Sequence, residues 1–334
     1  MKFSEAIRTV RGGVDLTEQQ TASLIDAMLS GVAVEDEIGQ LLLAMADKGE
    51  SVDELVGAAK AMRRRMTRIE HSQTVLLDTC GTGGSGSGTF NISTAVAIVV
   101  AACGVPVAKH GNRAATSKSG SADVLEQLGV SIESDAAAVG RRLDETGLCF
   151  CFAPVLHPAM KHVVGVRRRL GVKTLFNLLG PLCNPAGATH QLLGTSSPQD
   201  QRMVAEAMSR LDTTRSLIVH AEDGQDEVSL ASTTTILDVS DDGQTTIKLE
   251  ATDFDLPGAD VRDLQVADPA ASAEMIRGIL AGHPGPPRDT VLAGAATALW
   301  LVGRADRPWA GTAVAAKAID SGRAAEVLEQ LRGN

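Results

Sequence analysis

No run in this chain approaches the ~20 apolar residues of a membrane span. The first residues also lack the apolar core of a secretory signal and reach Asp15 and Glu18 early, so a cytoplasmic location is expected. Positive charge is scarce. The 31 Lys and Arg residues face 41 Asp and Glu, and the net charge of -10 disfavours a broad grip on nucleic acid or an anionic membrane. An anionic ligand would therefore need local cations or a metal. Cysteine is sparse and forms no CxxC pair. Cys80, Cys103, Cys149, Cys151 and Cys183 sit mostly in apolar runs, as buried reduced thiols do, so neither disulfides nor a zinc site is expected. Internal repeats, low-complexity tracts and long linkers are absent as well.

What is present is apolar material: 44% of 334 residues, enough for two domains or for one large domain with an appendage. The first 70 or so residues read as helices only. Ser4 is placed as the cap of a short helix ending at Gly12-Gly13, Thr17 with Gln20 and Ser51 with Glu54 form capping boxes, and another helix is expected over 35–48. After Thr74 the texture changes to short strands at 75–77 and 105–108 alternating with helices at 94–103 and 122–128. Such alternation implies βαβ units and a mainly parallel sheet. Further strands are expected at 148–152, 191–193, 216–219, 235–239 and 245–249, and helices at 198–211, 269–280, 290–302, 310–321 and 324–331.

The segment 77–94 leaves a strand, crosses Gly81, Gly83, Gly84, Gly86 and Gly88, and enters a helix. Without Cβ atoms, backbone N–H groups can approach an anion, and the helix N-terminus is expected to add unpaired donors and a favourable dipole. Ser93 and Thr94 extend this cradle with hydroxyls. Gly81, Gly83 and Gly86 satisfy the dinucleotide pattern G-x-G-x-x-G, but that pattern wants an acidic residue about 20 positions on. Here the next strand leads to Lys109 and His110, which suits phosphate and disfavours a dinucleotide. The P-loop fails too, because Ser87-Gly88 stand where it requires Lys and then Ser or Thr. A second donor-rich loop, 109–123, follows the next strand, and open parallel sheets bind ligands at such strand ends.

Gly81-Thr82-Gly83-Gly84, Asn91-Ile92-Ser93-Thr94, Lys109-His110-Gly111-Asn112-Arg113 and the run Phe-Asn-Leu-Leu-Gly-Pro-Leu-Cys-Asn-Pro at 176–185 occur in order across nearly the whole chain. Together they resemble the signature segments of the anthranilate phosphoribosyltransferase family. The resemblance implies an α/β fold of the nucleoside phosphorylase and phosphoribosyltransferase kind. A small helical domain (1–72, joined by helices from about 160–185) would sit beside a large domain (73–334) with a mainly parallel sheet flanked by helices. It also implies a homodimer that transfers the phosphoribosyl group of phosphoribosyl pyrophosphate to the amine of anthranilate, with Mg2+, in tryptophan biosynthesis.

Position by position, the resemblance assigns Gly81, Gly83, Gly84, Ser85, Thr89, Asn91, Ile92, Ser93, Thr94, Lys109, Gly111, Asn112, Arg113, Ser117 and Ser121 to phosphoribosyl pyrophosphate. Gly81, His110, Asn112 and Arg167 go to anthranilate, and Ser93, Asp226 and Glu227 to magnesium. Read alone, Asp226-Glu227 could be a solvated turn; the resemblance makes the pair oxygen ligands of a hard cation. Arg167, Arg168 and Arg169 lie about 100° apart on a helix, so one at most faces a pocket. The resemblance selects Arg167, whose planar fork matches a carboxylate. Arg63, Arg64 and Arg65 read as the solvated end of a helix. No covalent nucleophile or essential base is implied, since an aromatic amine is neutral at pH 7 and attacks with its lone pair; His110 is read as a wall of the acceptor pocket. Two departures stand out: Ser85, where the family usually has Asp, and Met160, where some relatives carry Tyr. A pyrimidine nucleoside phosphorylase and a regulatory phosphate-binding protein remain as alternatives, the second disfavoured by Arg167 together with Asp226-Glu227.

Overall fold

In a computed structural model, the structure describes residues 1–114 and 117–333. Four helices open the chain: α1 (Phe3–Arg11), α2 (Glu18–Leu29), α3 (Glu35–Lys48) and α4 (Val52–Arg65). Both capping boxes form, at Thr17 with Gln20 and at Ser51 with Glu54. Ser4 does not cap. It lies inside the first turn of α1, whose N-cap is Lys2, because Phe3 is drawn onto the helical core and begins the helix earlier. Glu54 does more than cap: fully buried, it accepts from Leu16 N at 3.0 Å, Ser51 N at 2.9 Å and Lys48 Nζ at 3.1 Å. Arg64 and Arg65 lie exposed in the last turn of α4, Arg65 in a surface pair with Asp26 at 2.8 Å, but Arg63 is half-buried and its Nε donates to Leu182 O at 2.7 Å, so it is not a solvated charge.

A seven-stranded sheet carries the rest, in the order β3-β2-β1-β4-β5-β6-β7. β1 (Leu77–Gly81), β2 (Val107–Gly111), β3 (Leu148–Phe152), β4 (His190–Gly194) and β5 (Arg215–Ala221) are parallel, and β6 (Thr234–Ser240) with β7 (Gly243–Leu249) forms an antiparallel edge. The early strands are joined through α5 (Ile92–Ala102), α6 (Ser121–Gln127) and α7 (Ala136–Thr146). Between β3 and β4 come α8 (Ala153–Leu156), α9 (Lys161–Leu170) and α10 (Phe176–Leu182), then α11 (Pro198–Met208) leads into β5. α12 (Pro269–Leu280), α13 (Pro286–Leu301), α14 (Pro308–Asp320) and α15 (Arg323–Arg332) close the chain.

β1 lies further along the chain than 75–77. It pairs with β4 from Leu77↔His190 to Gly81↔Gly194, so polar Asp78 and Thr79 sit buried in the sheet. Local propensity favoured the apolar run, but the partner strands decide which residues pair. α13 starts at Pro286 rather than 290, because proline without an N–H is well suited to a first helical position. One apolar core joins α5, α12, α13, α14 and α15 to one side of the sheet. A second runs continuously from α1–α4 through α9, α10 and α11 to Cys80, Leu193, Ile218 and Leu237 on the sheet. All five cysteines are unpaired, four of them buried, and among the described residues no helix is long and apolar enough to cross a membrane.

Candidate active site

β1, β2, β4 and β5 end side by side, and their following loops meet there. Gly81 closes β1; a Cβ at that position would lie 3.1 Å from Asp226 Oδ2, so the carboxylate rests directly on the strand end. The chain then turns through Gly83 and Gly84 with φ of 68° and 84°, a left-handed conformation that favours glycine. Ser85, Ser87 and Thr89 link their hydroxyls along the loop at 3.2 and 3.1 Å. Its return is tied down by residues that gave no local signal: Val266 N donates to Gly88 O at 2.9 Å, Gln265 Nε2 to Ser87 O at 2.9 Å, and Phe90 N to Leu264 O at 2.8 Å.

The start of α5 differs from expectation. Its first N–H groups are already engaged, Ile92 N with Phe90 O at 2.7 Å, Ser93 N with Glu227 Oε1 at 3.1 Å and Thr94 N with Asn91 O at 3.1 Å. The expected unpaired helix donors are therefore absent at these three positions, because a tight turn at Asn91 and the Glu227 carboxylate reach them first. Asn91 serves as a junction: Oδ1 accepts from Ser119 Oγ at 2.6 Å and Ser272 Oγ at 2.8 Å, while Nδ2 donates to Ser119 O at 3.1 Å. In the glycine loop and at the start of α5, the hydroxyls of Thr82 and Thr94 are buried without a partner among the described residues. An orphaned buried hydroxyl costs free energy unless a ligand or water meets it.

Lys109 stands at the base. Its buried ammonium donates to Thr79 O at 2.5 Å and to Ser93 Oγ at 3.1 Å, and burial lowers its pKa. Opposite it, burial and the adjacent Asp226 push the Glu227 carboxyl up to about 8. Two adjacent carboxylates and a serine hydroxyl are hard oxygen donors, the donor type that suits a magnesium ion, and the Ser93 N–H holds Glu227 Oε1 at 3.1 Å beside them. Among the described residues no cluster of three His, Cys, Asp or Glu side chains could hold a metal by itself.

On the acceptor side, His110 Nδ1 donates to Gly180 O at 3.0 Å, and its Nε2 lies 3.1 Å from His157 Nε2 in a shared hydrogen bond. Burial depresses both imidazoles, His110 to about 3 and His157 to about 4. His110 is thus neutral with both ring nitrogens engaged, the condition of a wall rather than a proton acceptor. Its backbone N–H donates to Asp78 Oδ1 at 3.1 Å, a residue hidden from the sequence reading by the misplaced strand. The run 176–185 now has a physical meaning. Gly180 O, Pro181 O and Leu182 O accept from His110, Gln191 Nε2 (2.7 Å) and Arg63 Nε (2.7 Å), while Asn184 Nδ2 donates to Ala108 O at 2.8 Å. The last carbonyls of a helix lack intrahelical partners, and here three distant side chains fill them and lock α10 against β2, β4 and α4.

Arg167 lies half-buried over the Phe176 ring, 5.3 Å from its centroid, and burial lowers its pKa. Its side-chain bond among the described residues is a long 3.4 Å contact to Asn177 Oδ1. Arg168 is exposed and Arg169 pairs with Glu35, so the three guanidiniums do diverge. Met160 packs on the helical core next to His157.

In the second loop, a Cβ on Gly111 would meet Ser121 Oγ at 2.0 Å, so glycine lets Ser121 close over the strand end, where its hydroxyl donates to Asn112 O at 3.3 Å. Asn112 is exposed and its Oδ1 accepts from Arg113 N at 2.8 Å. Ser117 is exposed and donates to Ser119 O at 3.3 Å. Arg113 is not brought to the site by its side chain, since the guanidinium pairs with Glu126 and Asp123 on α6. Two lysines that the sequence reading passed over do reach the glycine loop: Lys173 Nζ would be 3.5 Å from a Cβ on Gly84, and Lys118 Nζ 3.7 Å from one on Gly88.

Residues 4–66 match the helical bundle domain of the glycosyl transferase family, and residues 73–325 match its a/b domain. The chain belongs to that family. The anthranilate phosphoribosyltransferase of Rhodopirellula baltica is 62% identical over 331 residues, covering 99% of this chain and 97% of the relative. Among solved structures, the anthranilate phosphoribosyltransferase of Thermus thermophilus superposes with a TM-score of 0.92 at 39% identity over 98% of both chains. That of Saccharomyces cerevisiae, in complex with PRPP and Mg, gives 0.91 at 26% identity, covering 99% of this chain and 97% of the other. Within the glycosyl transferases, the chain falls among the anthranilate phosphoribosyltransferases.

Proposed function

We infer that this chain transfers the phosphoribosyl group of phosphoribosyl pyrophosphate to the amine of anthranilate and releases pyrophosphate, a step of tryptophan biosynthesis. The observation that carries this reading is the convergence of the glycine loop, Lys109, Ser93 and the Asp226-Glu227 pair at one end of the sheet. The amine lone pair forms the bond to the ribose C1 as the C1–O bond to pyrophosphate breaks, and the ammonium proton then leaves to solvent. The chain's work is positioning and electrostatic stabilisation of the departing group. Magnesium, held by Ser93, Asp226 and Glu227, would neutralise charge on the pyrophosphate.

Gly81, Gly83, Gly84, Ser85 and Thr89 would line the pyrophosphate side, with Asn91, Ile92, Ser93, Thr94 and Lys109 beneath it and Gly111, Asn112, Ser117 and Ser121 across from it. Anthranilate would lie by Gly81, His110 and Asn112 with its carboxylate on Arg167. The helical unit 1–72, joined by helices of 160–185, would move against 73–334 to open and close the cleft. A homodimer through the helical unit is supported by exposed Val32, Val34 and Leu43, and sedimentation at dilute concentration tests it. A cytoplasmic location suits the five unpaired thiols.

Anthranilate fluorescence should fall when the enzyme meets phosphoribosyl pyrophosphate and Mg2+; a folded but inert sample, or one that instead phosphorolyses thymidine or uridine, overturns the assignment. Arg167→Ala should raise KM for anthranilate about 10- to 100-fold, the worth of a charge-assisted hydrogen bond, and spare binding of phosphoribosyl pyrophosphate in calorimetry. Equal damage to both substrates would refute its role. Lys173→Gln should raise KM for phosphoribosyl pyrophosphate several-fold and flatten its dependence on salt, as expected for an exposed cation near a polyanion. Unchanged salt dependence would remove Lys173 from the site.

A further inference from the structure

We propose, on the magnesium reading above, that Asp223, Gln225 and Ser229, with the bare Cα of Gly194, are positioning residues that fix where Asp226 and Glu227 present their oxygens. The two carboxylates lie in the connection between β5 and β6, where no strand or helix holds them. Asp223 is the hub that does. Its Oδ1 accepts from Gln225 N at 3.0 Å, and its Oδ2 accepts from Gln225 Nε2 at 2.9 Å and from Ser229 Oγ at 2.6 Å. Ser229 Oγ in turn accepts from Ala231 N at 2.9 Å and from Gln225 Nε2 at 3.2 Å, and Ser229 N donates to Thr234 Oγ1 at 2.9 Å at the start of β6. Gln225 O accepts from Ala221 N at 3.1 Å, the last residue of β5. Gln225 and Ser229 are buried. The residues on both sides of the carboxylate pair are thus pinned to the two strands the connection joins.

The second arm is steric. Gly194 ends β4 between β1 and β5, and a Cβ there would lie 1.7 Å from Asp226 O and 3.2 Å from Asp226 Cβ. Only glycine lets the Asp226 backbone rest on the strand end, beside Gly81. The Gly194 carbonyl is itself bonded to Thr82 N at 2.9 Å, so the same residue sets the root of the glycine loop. Asp223 is no ligand itself, since its oxygens are occupied by donors of its own loop. Outer groups of this kind commonly govern metal affinity through the ligands they orient.

The probe is Mn2+, followed by electron paramagnetic resonance in the presence of phosphoribosyl pyrophosphate. In Asp223→Asn and Ser229→Ala the Mn2+ dissociation constant should rise about 10- to 100-fold, with KM for phosphoribosyl pyrophosphate rising alongside it. Saturating Mn2+ should restore kcat, and KM for anthranilate should stay at the wild-type value, which a general loosening of the fold would not produce. Gly194→Ala should act in the same direction and more severely; should it fail to fold, the other two variants decide. Wild-type Mn2+ affinity in folded Asp223→Asn and Ser229→Ala overturns the proposal. Glu227→Gln is the control for the underlying reading: if it too binds Mn2+ like wild type, the magnesium assignment falls and the positioning role falls with it.

Discussion

Glu227→Gln should lower kcat/KM for phosphoribosyl pyrophosphate by about 100- to 1,000-fold, the range seen when one group that stabilises transition-state charge is removed. The fold should survive. Glutamine keeps the shape and an oxygen for the Ser93 N–H, which donates to Glu227 Oε1 at 3.1 Å. It also removes one of two neighbouring carboxylates whose repulsion and burial push Glu227 up to about 8. The melting temperature should therefore stay level or rise while activity collapses. Steady-state kinetics at saturating Mg2+ beside a thermal melt separates the two effects. Near wild-type kcat/KM would show that Glu227 does not face the reacting phosphate, and a large drop in melting temperature would mean that it is a structural group.

That opposition between stability and activity follows from the charge of the whole chain. A net charge of -10 repels a polyanionic substrate, and the site answers it in two layers. Lys109 at the base is fixed by Thr79 O and Ser93 Oγ, whereas Lys118 and Lys173 approach the outer glycines from other segments. Facing them stand Asp226 and Glu227, and on the proposed function a divalent cation would sit between these carboxyl groups and the substrate phosphate.

What was legible in the sequence was local. The two capping boxes need four residues each, and the glycine loop declares itself by composition, so Thr17, Ser51, Gly83 and Gly84 sit as read. Asp78 was missed because a polar residue in a buried strand is explained only by partners 30 or more positions away, the His110 N–H and Gln191. Arg63 looked like surface charge until Leu182 O, 119 positions on, appeared as its acceptor. The same holds for the bonds of the Asn91 side chain, whose partners Ser119 and Ser272 lie 28 and 181 positions on. The 176–185 run was recognisable only by resemblance, since its purpose is to offer helix-end carbonyls to side chains of other elements.

Those carbonyls lead to the second large effect, an acid transition set by His110 and His157. The two rings share a hydrogen bond at 3.1 Å, are 7% and 5% exposed, and are held by burial at about 3 and about 4, against about 6.5 in an unfolded chain. Below pH 6.5 the unfolded chain binds protons that the folded one refuses. Stability is therefore complete above that value and falls as pH drops, by about 1.4 kcal/mol per unit for each ring. By pH 4.5 the two rings together should cost about 5 kcal/mol, a large share of the total for an ordinary domain. Other groups offset part of this loss. Burial raises the carboxyls of Asp78 and Glu227, the latter to about 8, so the folded chain takes up their protons before the unfolded one does and gains stability as pH falls, while Lys109 adds repulsion that keeps His110 neutral. Urea unfolding followed from pH 7.5 to 4.5 measures the slope. In His157→Gln the amide can still donate to His110 Nε2, so the fold is kept and the slope should fall by about 1.4 kcal/mol per pH unit, one ring's share; an undiminished slope would place the acid sensitivity elsewhere in the chain.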